Sequence, residues 1–226
     1  MADESSGERA AAAVELRVTE IFYSLQGEST HAGRACSFVR LSGCPLRCRY
    51  CDTAYAFAPG TSMSLDAVLA AVRRHPCRLV EVTGGEPLAQ PSCMALLRRL
   101  LDEGFEVLLE TSGALSLAGV PPGVRKIVDL KTPDSGEVER NDWSNLELLG
   151  PGDEVKFVIC SRRDYEWARE VMRQHRLHER VPVLLSPEWG SGVRRDLAEW
   201  MLEDALPGRY QPQLHKFIWP DVERGV

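Results

Sequence analysis

The chain has no apolar run approaching the roughly 20 residues needed to cross a bilayer, so a helical membrane protein is not expected. It also lacks an excess of positive charge. Lys and Arg number 27 against 33 Asp and Glu, a net charge of −6. Phosphate backbones are held by a surplus of cations on one face, and nucleic acid is therefore not expected as a partner. The first stretch, MADESSGERAAAAVEL, has acids and an arginine but no apolar core of the signal-peptide kind. Residues 1–16 are expected to form a disordered leader and residues 17–226 a single domain, in the cytoplasm. Evenly paired cysteines are missing as well. There are seven, an odd number, and three crowd into CPLRCRYCDT at 44–53. A secreted disulfide scaffold would be smaller and paired, so a reducing compartment and a metal site fit better. Cys77, Cys93 and Cys160 stand singly and read as small buried hydrophobes.

What is present is an alternation of β-branched runs with amphipathic stretches. Strands are expected over 16–24, 36–43, 78–85, 105–113, 125–132, 154–160, 181–187 and 213–219. Helices are expected over 64–75, 91–104, 162–177 and 194–204. Ser64 stands where a cap starts the first helix, and Gly104 where a left-handed residue ends the second. Apolar strands alternating with helices imply an α/β fold, a mostly parallel sheet covered by helices. Ligands of such folds gather at the C-terminal ends of the strands. Here those ends carry the Cys44 loop, Thr83-Gly84-Gly85-Glu86-Pro87, Glu110-Thr111-Ser112-Gly113, Asp129-Leu130-Lys131 and Ser186-Pro187-Glu188. One rim of a barrel or half-barrel would collect them all.

Cys44, Cys48 and Cys51 have the spacing C-x3-C-x2-C. A loop this tight can wrap one face of an iron–sulfur cube. Three ligands would leave one iron open, as catalytic zinc sites keep one position open. Spacing alone leaves two other readings: a zinc site completed from afar by His31 or Cys36, and thiols that hold no metal. Tyr50, just before the last cysteine, offers a flat apolar cover.

CPLRCRYC, with its aromatic before the third cysteine, resembles the signature of the radical S-adenosylmethionine superfamily, and GGEP at 84–87 resembles its second hallmark. Three further stretches, EIFYSLQGEST at 20–30, CDT at 51–53 and QLHKFIWPDVERGV at 213–226, are similar to the 7-carboxy-7-deazaguanine synthases. The resemblance runs from about residue 18 to the end. It implies a partial (β/α) barrel, a 4Fe-4S cluster held by Cys44, Cys48 and Cys51, and S-adenosylmethionine chelated to the open iron. The implied reaction contracts 6-carboxy-5,6,7,8-tetrahydropterin to 7-carboxy-7-deazaguanine with loss of ammonia, on the route to queuosine and other 7-deazapurines. S-adenosylmethionine would be used catalytically. A homodimer and a flavodoxin or ferredoxin-type electron donor are implied too.

The resemblance also implies roles, residue by residue. Thr53 would bind Mg²⁺ through its hydroxyl, as suits a hard cation. Leu25, Gln26, Gly27 and Glu28 would line the substrate pocket, with Gln26 and Glu28 matching a pterin edge. Arg40 would fork onto the substrate carboxylate, and Thr83 and His215 would touch the substrate. Tyr50, Cys51, Asp52 and Gly85 would meet S-adenosylmethionine, Gly85 through its backbone, while Glu86 supports that loop. Glu110 and Ser112 would reach the ribose hydroxyls or the methionyl carboxylate. Asp129, Leu130 and Lys131 stand where relatives carry Ser-Pro-Lys, and Ser186, Pro187 and Glu188 where some carry Gln-Pro-Met. Shorter relatives end near the equivalent of Pro220, so Val226 or Asp221 would take over the reading of substrate by a terminal carboxylate. Two other functions share features of the chain. A glycyl-radical activating enzyme has both hallmark motifs but acts on a large protein partner. An iron–sulfur or zinc module would bind without turnover.

Overall fold

The computed structural model describes residues 14–226. Strand β1 (Glu15–Leu25) pairs antiparallel with β2 (Ala35–Leu41) on one side and with the short β3 (Thr61–Ser64) on the other. From β2 onward every pairing is parallel, through β4 (Leu79–Gly84), β5 (Glu106–Thr111), β6 (Arg125–Leu130), β7 (Glu154–Ile159), β8 (Val183–Pro187) and β9 (Arg209–Tyr210). The nine strands run in the order β3-β1-β2-β4-β5-β6-β7-β8-β9 and the two edges do not meet. This is the mostly parallel, partial barrel expected.

Helices α1 (Leu65–Val72), α2 (Cys93–Asp102), α3 (Arg162–Gln174) and α4 (Arg194–Glu203) cover the sheet. Ser64 does cap α1, its side chain accepting from the Ala67 N–H at 3.2 Å. Gly104, with φ of 77°, follows α2 in the left-handed region. None of these helices is long and apolar enough to cross a membrane.

The two-residue period of the strands sorts their side chains into two sets. Val80 and Val82 of β4, with Val107 and Leu109 of β5, pack against Leu96, Leu97 and Leu100 of α2. Val128 and Leu130 of β6 and Val155, Phe157 and Ile159 of β7 pack with Tyr165, Ala168 and Met172 of α3. The intervening residues face the concave side. At its floor Cys36, Phe38, Leu79, Leu108 and Ile127 make a third, smaller apolar cluster.

Four expectations need correction. Residues 213–219 are not a strand: Leu214–Ile218 form a short helix, α5, because Gln213 and Lys216, one turn apart, both reach Asp52. Strands β3 and β9, four and two residues long, fall outside the expected elements. The leader reading for residues 1–13 lies outside the described residues. Glu15 and Leu16 belong to β1, where Leu16 is buried in the helix-side core. Cys93 is buried as expected, whereas Cys77 and Cys160 are only half-buried.

Candidate active site

One cavity opens at the C-terminal rim of the parallel strands. The loop after β2 supplies its first wall. Cys44, Cys48 and Cys51 are free thiols, half-buried, and all three line it. Burial pushes each thiol above its ordinary pKa, Cys48 to about 11. Cys36 and His31, the candidates for a distant fourth ligand, are elsewhere. Cys36 is the second residue of β2 and sits in the floor cluster. His31 is bound to Arg34 and Arg125 and lies 3.7 Å from Glu106, near the opposite end of the sheet. Among the described residues, no three His, Cys, Asp or Glu side chains converge as a single ion requires.

The loop after β4 closes against the cysteine loop. The Gly85 N–H donates to Leu41 O at 3.0 Å and the Glu86 N–H to Gly43 O at 2.8 Å. A Cβ on Gly85 would sit 2.3 Å from Gly43 O and 2.9 Å from the Cys44 Cβ, so only glycine permits this approach. The buried Glu86 carboxylate ties the loop to the end of β5. It accepts from Thr111 Oγ1 at 2.8 Å, Ser112 N at 2.8 Å, Ser112 Oγ at 2.5 Å and Leu88 N at 3.0 Å. The Ser112 hydroxyl is thereby committed within the protein. Glu86 has the supporting role expected of it.

Three polar atoms in the same cavity, the Tyr50 hydroxyl, Asp129 Oδ1 and Ser186 Oγ, are buried with no protein partner. Buried polar groups are nearly always hydrogen-bonded. Three orphans in one cavity therefore mark the surface a polar ligand would complete. Thr53 precedes a 3-10 turn but makes no capping bond there; its hydroxyl only donates to Asp52 Oδ1 at 2.9 Å. An oxygen lone pair thus remains for a hard cation.

The radical SAM superfamily model matches residues 38–182, more than half of the chain. The 7-carboxy-7-deazaguanine synthase of Koribacter versatilis is 47% identical over 226 residues, covering 93% of this chain and all of that protein. That of Chlorobaculum tepidum is 47% identical over 214 residues, covering 93% of this chain and 97% of that one. The chain belongs to the 7-carboxy-7-deazaguanine synthase family. A crystal structure of QueE from Escherichia coli shares the fold at a TM-score of 0.74, with 25% identity over 89% of this chain and 95% of that one.

The rest of the cavity can be set beside what the family resemblance implies. Leu25, Gln26, Gly27, Glu28, Arg40, Asp52, Thr83, Glu110, Asp129, Lys131, Ser186, Pro187, Glu188, His215 and Val226 all line it. Leu130 does not. Strand alternation turns its side chain into the α3-side core while Asp129 and Lys131 face inward. Arg40 ion-pairs Glu20 through Nε at 2.7 Å, and its terminal nitrogens make no protein hydrogen bond among the described residues. His215 packs so closely on Gly27 that an added Cβ would meet its Nδ1 at 2.1 Å. Burial lowers the pKa of that imidazole. Val226 lines the cavity, and Arg224 lies 4.1 Å over the Tyr55 ring.

Several cavity residues were not expected from the sequence. Lys156 of β7, 6% exposed, bonds Glu28 Oε2 at 2.6 Å and Glu110 Oε1 at 2.7 Å and stands 3.9 Å from Asp129. Burial acts to lower its pKa, but Glu110, Glu28 and Asp129 together hold it well above the ordinary lysine value. Lys131 is held up likewise, mainly by Asp129. Gln213 and Lys216 of the α5 segment grip Asp52, Lys216 at 2.6 Å. Burial acts to raise that carboxyl, yet Lys216, Gln213 and Thr53 keep it well below the carboxylate range. Glu81 and Trp189 line the cavity as well. The signal was available: Glu81 is the one charge of β4, and Lys156 stands two residues after Glu154 in an otherwise apolar β7.

Proposed function

We propose that the chain converts 6-carboxy-5,6,7,8-tetrahydropterin to 7-carboxy-7-deazaguanine with loss of ammonia, using a 4Fe-4S cluster, S-adenosylmethionine and Mg²⁺. The observation that carries this reading is the single cavity that joins the cysteine triad, the GGEP loop and the α5 segment in a chain so similar to named synthases. Cys44, Cys48 and Cys51 would hold three irons, and the donor set suits them, because thiolates bind iron and the fourth position stays free. When bound, the cluster and S-adenosylmethionine supply the one-electron chemistry that takes a hydrogen atom from the substrate.

The chain's own residues do the rest. The Tyr50 hydroxyl, Asp129 Oδ1 and Ser186 Oγ, unpartnered within the protein, meet polar atoms of S-adenosylmethionine, and Gly85 presents its backbone beside them. Asp52, Lys131, Pro187 and Glu188 flank that site, and Glu110 borders it. Thr53 offers its oxygen to Mg²⁺. Arg40 turns its free nitrogens to the substrate carboxylate, while Gln26, Gly27, Glu28, Thr83 and His215 bound the heterocycle. Residues 17–226 act as one domain. The family resemblance adds a homodimer and electrons from a flavodoxin or ferredoxin-type donor.

Anaerobic reconstitution tests this. Four irons per chain, cleavage of S-adenosylmethionine and formation of the deazaguanine from the carboxypterin with Mg²⁺ are expected. Iron uptake without cleavage would leave only a binding module, and cleavage without the deazaguanine would return the activating-enzyme alternative. Val226 gives a separate expectation. Appending a few residues after Val226 should raise the KM for the carboxypterin about tenfold, the size of one lost buried polar contact. An unchanged KM would take the tail out of the site.

A further inference from the structure

Of the carboxyls that line the cavity, Glu28, Glu81, Glu110 and Asp129 lie around Lys156, apart from Asp52 and Glu188. Lys156 serves these four unequally. It bonds Glu28 and Glu110 and stands 3.9 Å from Asp129, whose other neighbour is Lys131 at 2.9 Å. Glu81 has no ion-pair partner among the described residues. Its one hydrogen bond is from the side-chain amide of Gln26, Nε2 to Oε2. The amide is itself fixed, since Gln26 Oε1 accepts from the Glu28 N–H at 3.1 Å. Glu81 is 4% exposed and rises from the apolar floor between Phe38 of β2 and Leu108 of β5, its register partners. An isolated carboxylate in such a place costs several kcal/mol, and a carboxyl there keeps its proton instead. Burial first, and then the neighbouring Glu110, push Glu81 well above the ordinary carboxyl value. The charged and titratable groups facing it are Glu110 from β5, Glu28 from the loop after β1, Lys156 from β7 and Cys36 from β2.

The protonation state decides what the carboxyl can recognise. A carboxylate offers two acceptors and matches an edge with two N–H donors. A neutral acid offers one O–H donor and one C=O acceptor side by side. It matches a lactam edge, with its ring N–H and its carbonyl oxygen. Resting on the reading above, in which the substrate is a pterin carrying such an edge, we propose that Glu81 is a specificity-determining residue that meets the lactam edge as a neutral acid, aligned by Gln26.

Two arms test this. The first measures KM and kcat for the carboxypterin in the reconstituted wild-type enzyme, Glu81→Leu and Glu81→Gln. Leu leaves the lactam unpaired, so KM should rise about tenfold or more with a smaller change in kcat. Gln, which keeps a neutral donor and acceptor, should recover most of that loss. A Gln variant as impaired as Leu would mean that a carboxylate is needed, and a Leu variant with wild-type KM would mean that Glu81 touches nothing; either overturns the proposal. The second arm uses the apo-protein and needs neither cluster nor substrate. A carboxyl protonated in the fold but ionised in the unfolded chain makes the fold lose stability as pH rises above about 4.5. Between pH 5 and 8 the wild-type midpoint should therefore fall relative to that of Glu81→Gln, and parallel curves would overturn the neutral state. Should the wild-type enzyme leave the carboxypterin unchanged, the functional reading fails, and the stability arm still decides how Glu81 is held.

Discussion

Lys156→Met is expected to destabilise the apo-protein by about 3 to 5 kcal/mol at neutral pH, the usual consequence of removing one partner from a buried ion cluster. For a chain of this length that is a fall in Tm of roughly 10 °C. The cause is on the inner face of β7. The buried Lys156 ammonium holds Glu28 at 2.6 Å and Glu110 at 2.7 Å. Methionine fills a similar volume but leaves both carboxylates uncompensated beside Asp129. The pH dependence has a definite sign. In the wild type, burial would raise the Glu110 carboxyl, but Lys156 holds it below its ordinary value. Its contribution is thus present above the unfolded carboxyl's pKa and is lost as pH falls through the lower, folded one. In the variant the Glu110 carboxyl loses that cation, rises and takes a proton in the fold, so the deficit should shrink as pH falls from 8 towards 5. Adding Glu110→Gln to Lys156→Met removes one orphan charge and should restore part of the loss. Urea denaturation of the two variants across that pH range is the measurement. A single variant within 1 kcal/mol of wild type at pH 8 would show that the cluster does not need its cation.

Much of this arrangement was legible before the structure, and the parts that were not have a common cause. Runs such as RLVEVTGG and RKIVDLKT gave the parallel strands, because buried strands are recognisable by apolar, β-branched composition. Their polar C-terminal residues gave the rim, and the cavity there is lined by the motifs that mark it. The period of two in those strands carries the inward-facing charges as well. Counting inward from Thr83 reaches Glu81, and from Glu154 reaches Lys156, both in the cavity. The misread segment failed for a different reason. QLHKFIW has the apolar content of a strand, but Leu214 N–H bonds Gly27 O at 2.8 Å and Trp219 N–H bonds His215 O at 2.8 Å. Tertiary partners, including Asp52 on the loop after β2, impose the helical turn over local propensity. Strands of two and four residues at sheet edges carry too few residues for any period to show. Gln26 illustrates the limit for site residues: the sequence suggests an amide for the substrate edge, yet its oxygen and one N–H are spent on Glu28 and Glu81.

Gly85→Ala should cut turnover at least about a hundredfold, since misplacement of order 1 Å at a reacting centre has that effect. The added methyl cannot be accommodated by a side-chain shift. It would lie 2.3 Å from Gly43 O and 2.7 Å from Gly43 C, both backbone atoms. That carbonyl is already fixed by the Glu86 N–H at 2.8 Å, and Glu86 is anchored in turn by Thr111 and Ser112 at the end of β5. The loop bearing Cys44 must therefore move away from the GGEP loop, or the GGEP loop must leave β5. Either separates the first cysteine from the wall that would hold S-adenosylmethionine. Two readouts tell a displaced site from an unfolded chain. Iron per chain after reconstitution should fall or its spectrum change, while the Tm of the apo-protein falls by only a few degrees, because the helix-side cores are untouched. Gly150→Ala is the control: a Cβ there meets nothing within 4 Å, and both turnover and iron content should match wild type. Full iron content and wild-type turnover in Gly85→Ala would show that the two loops need not touch for the chemistry to run.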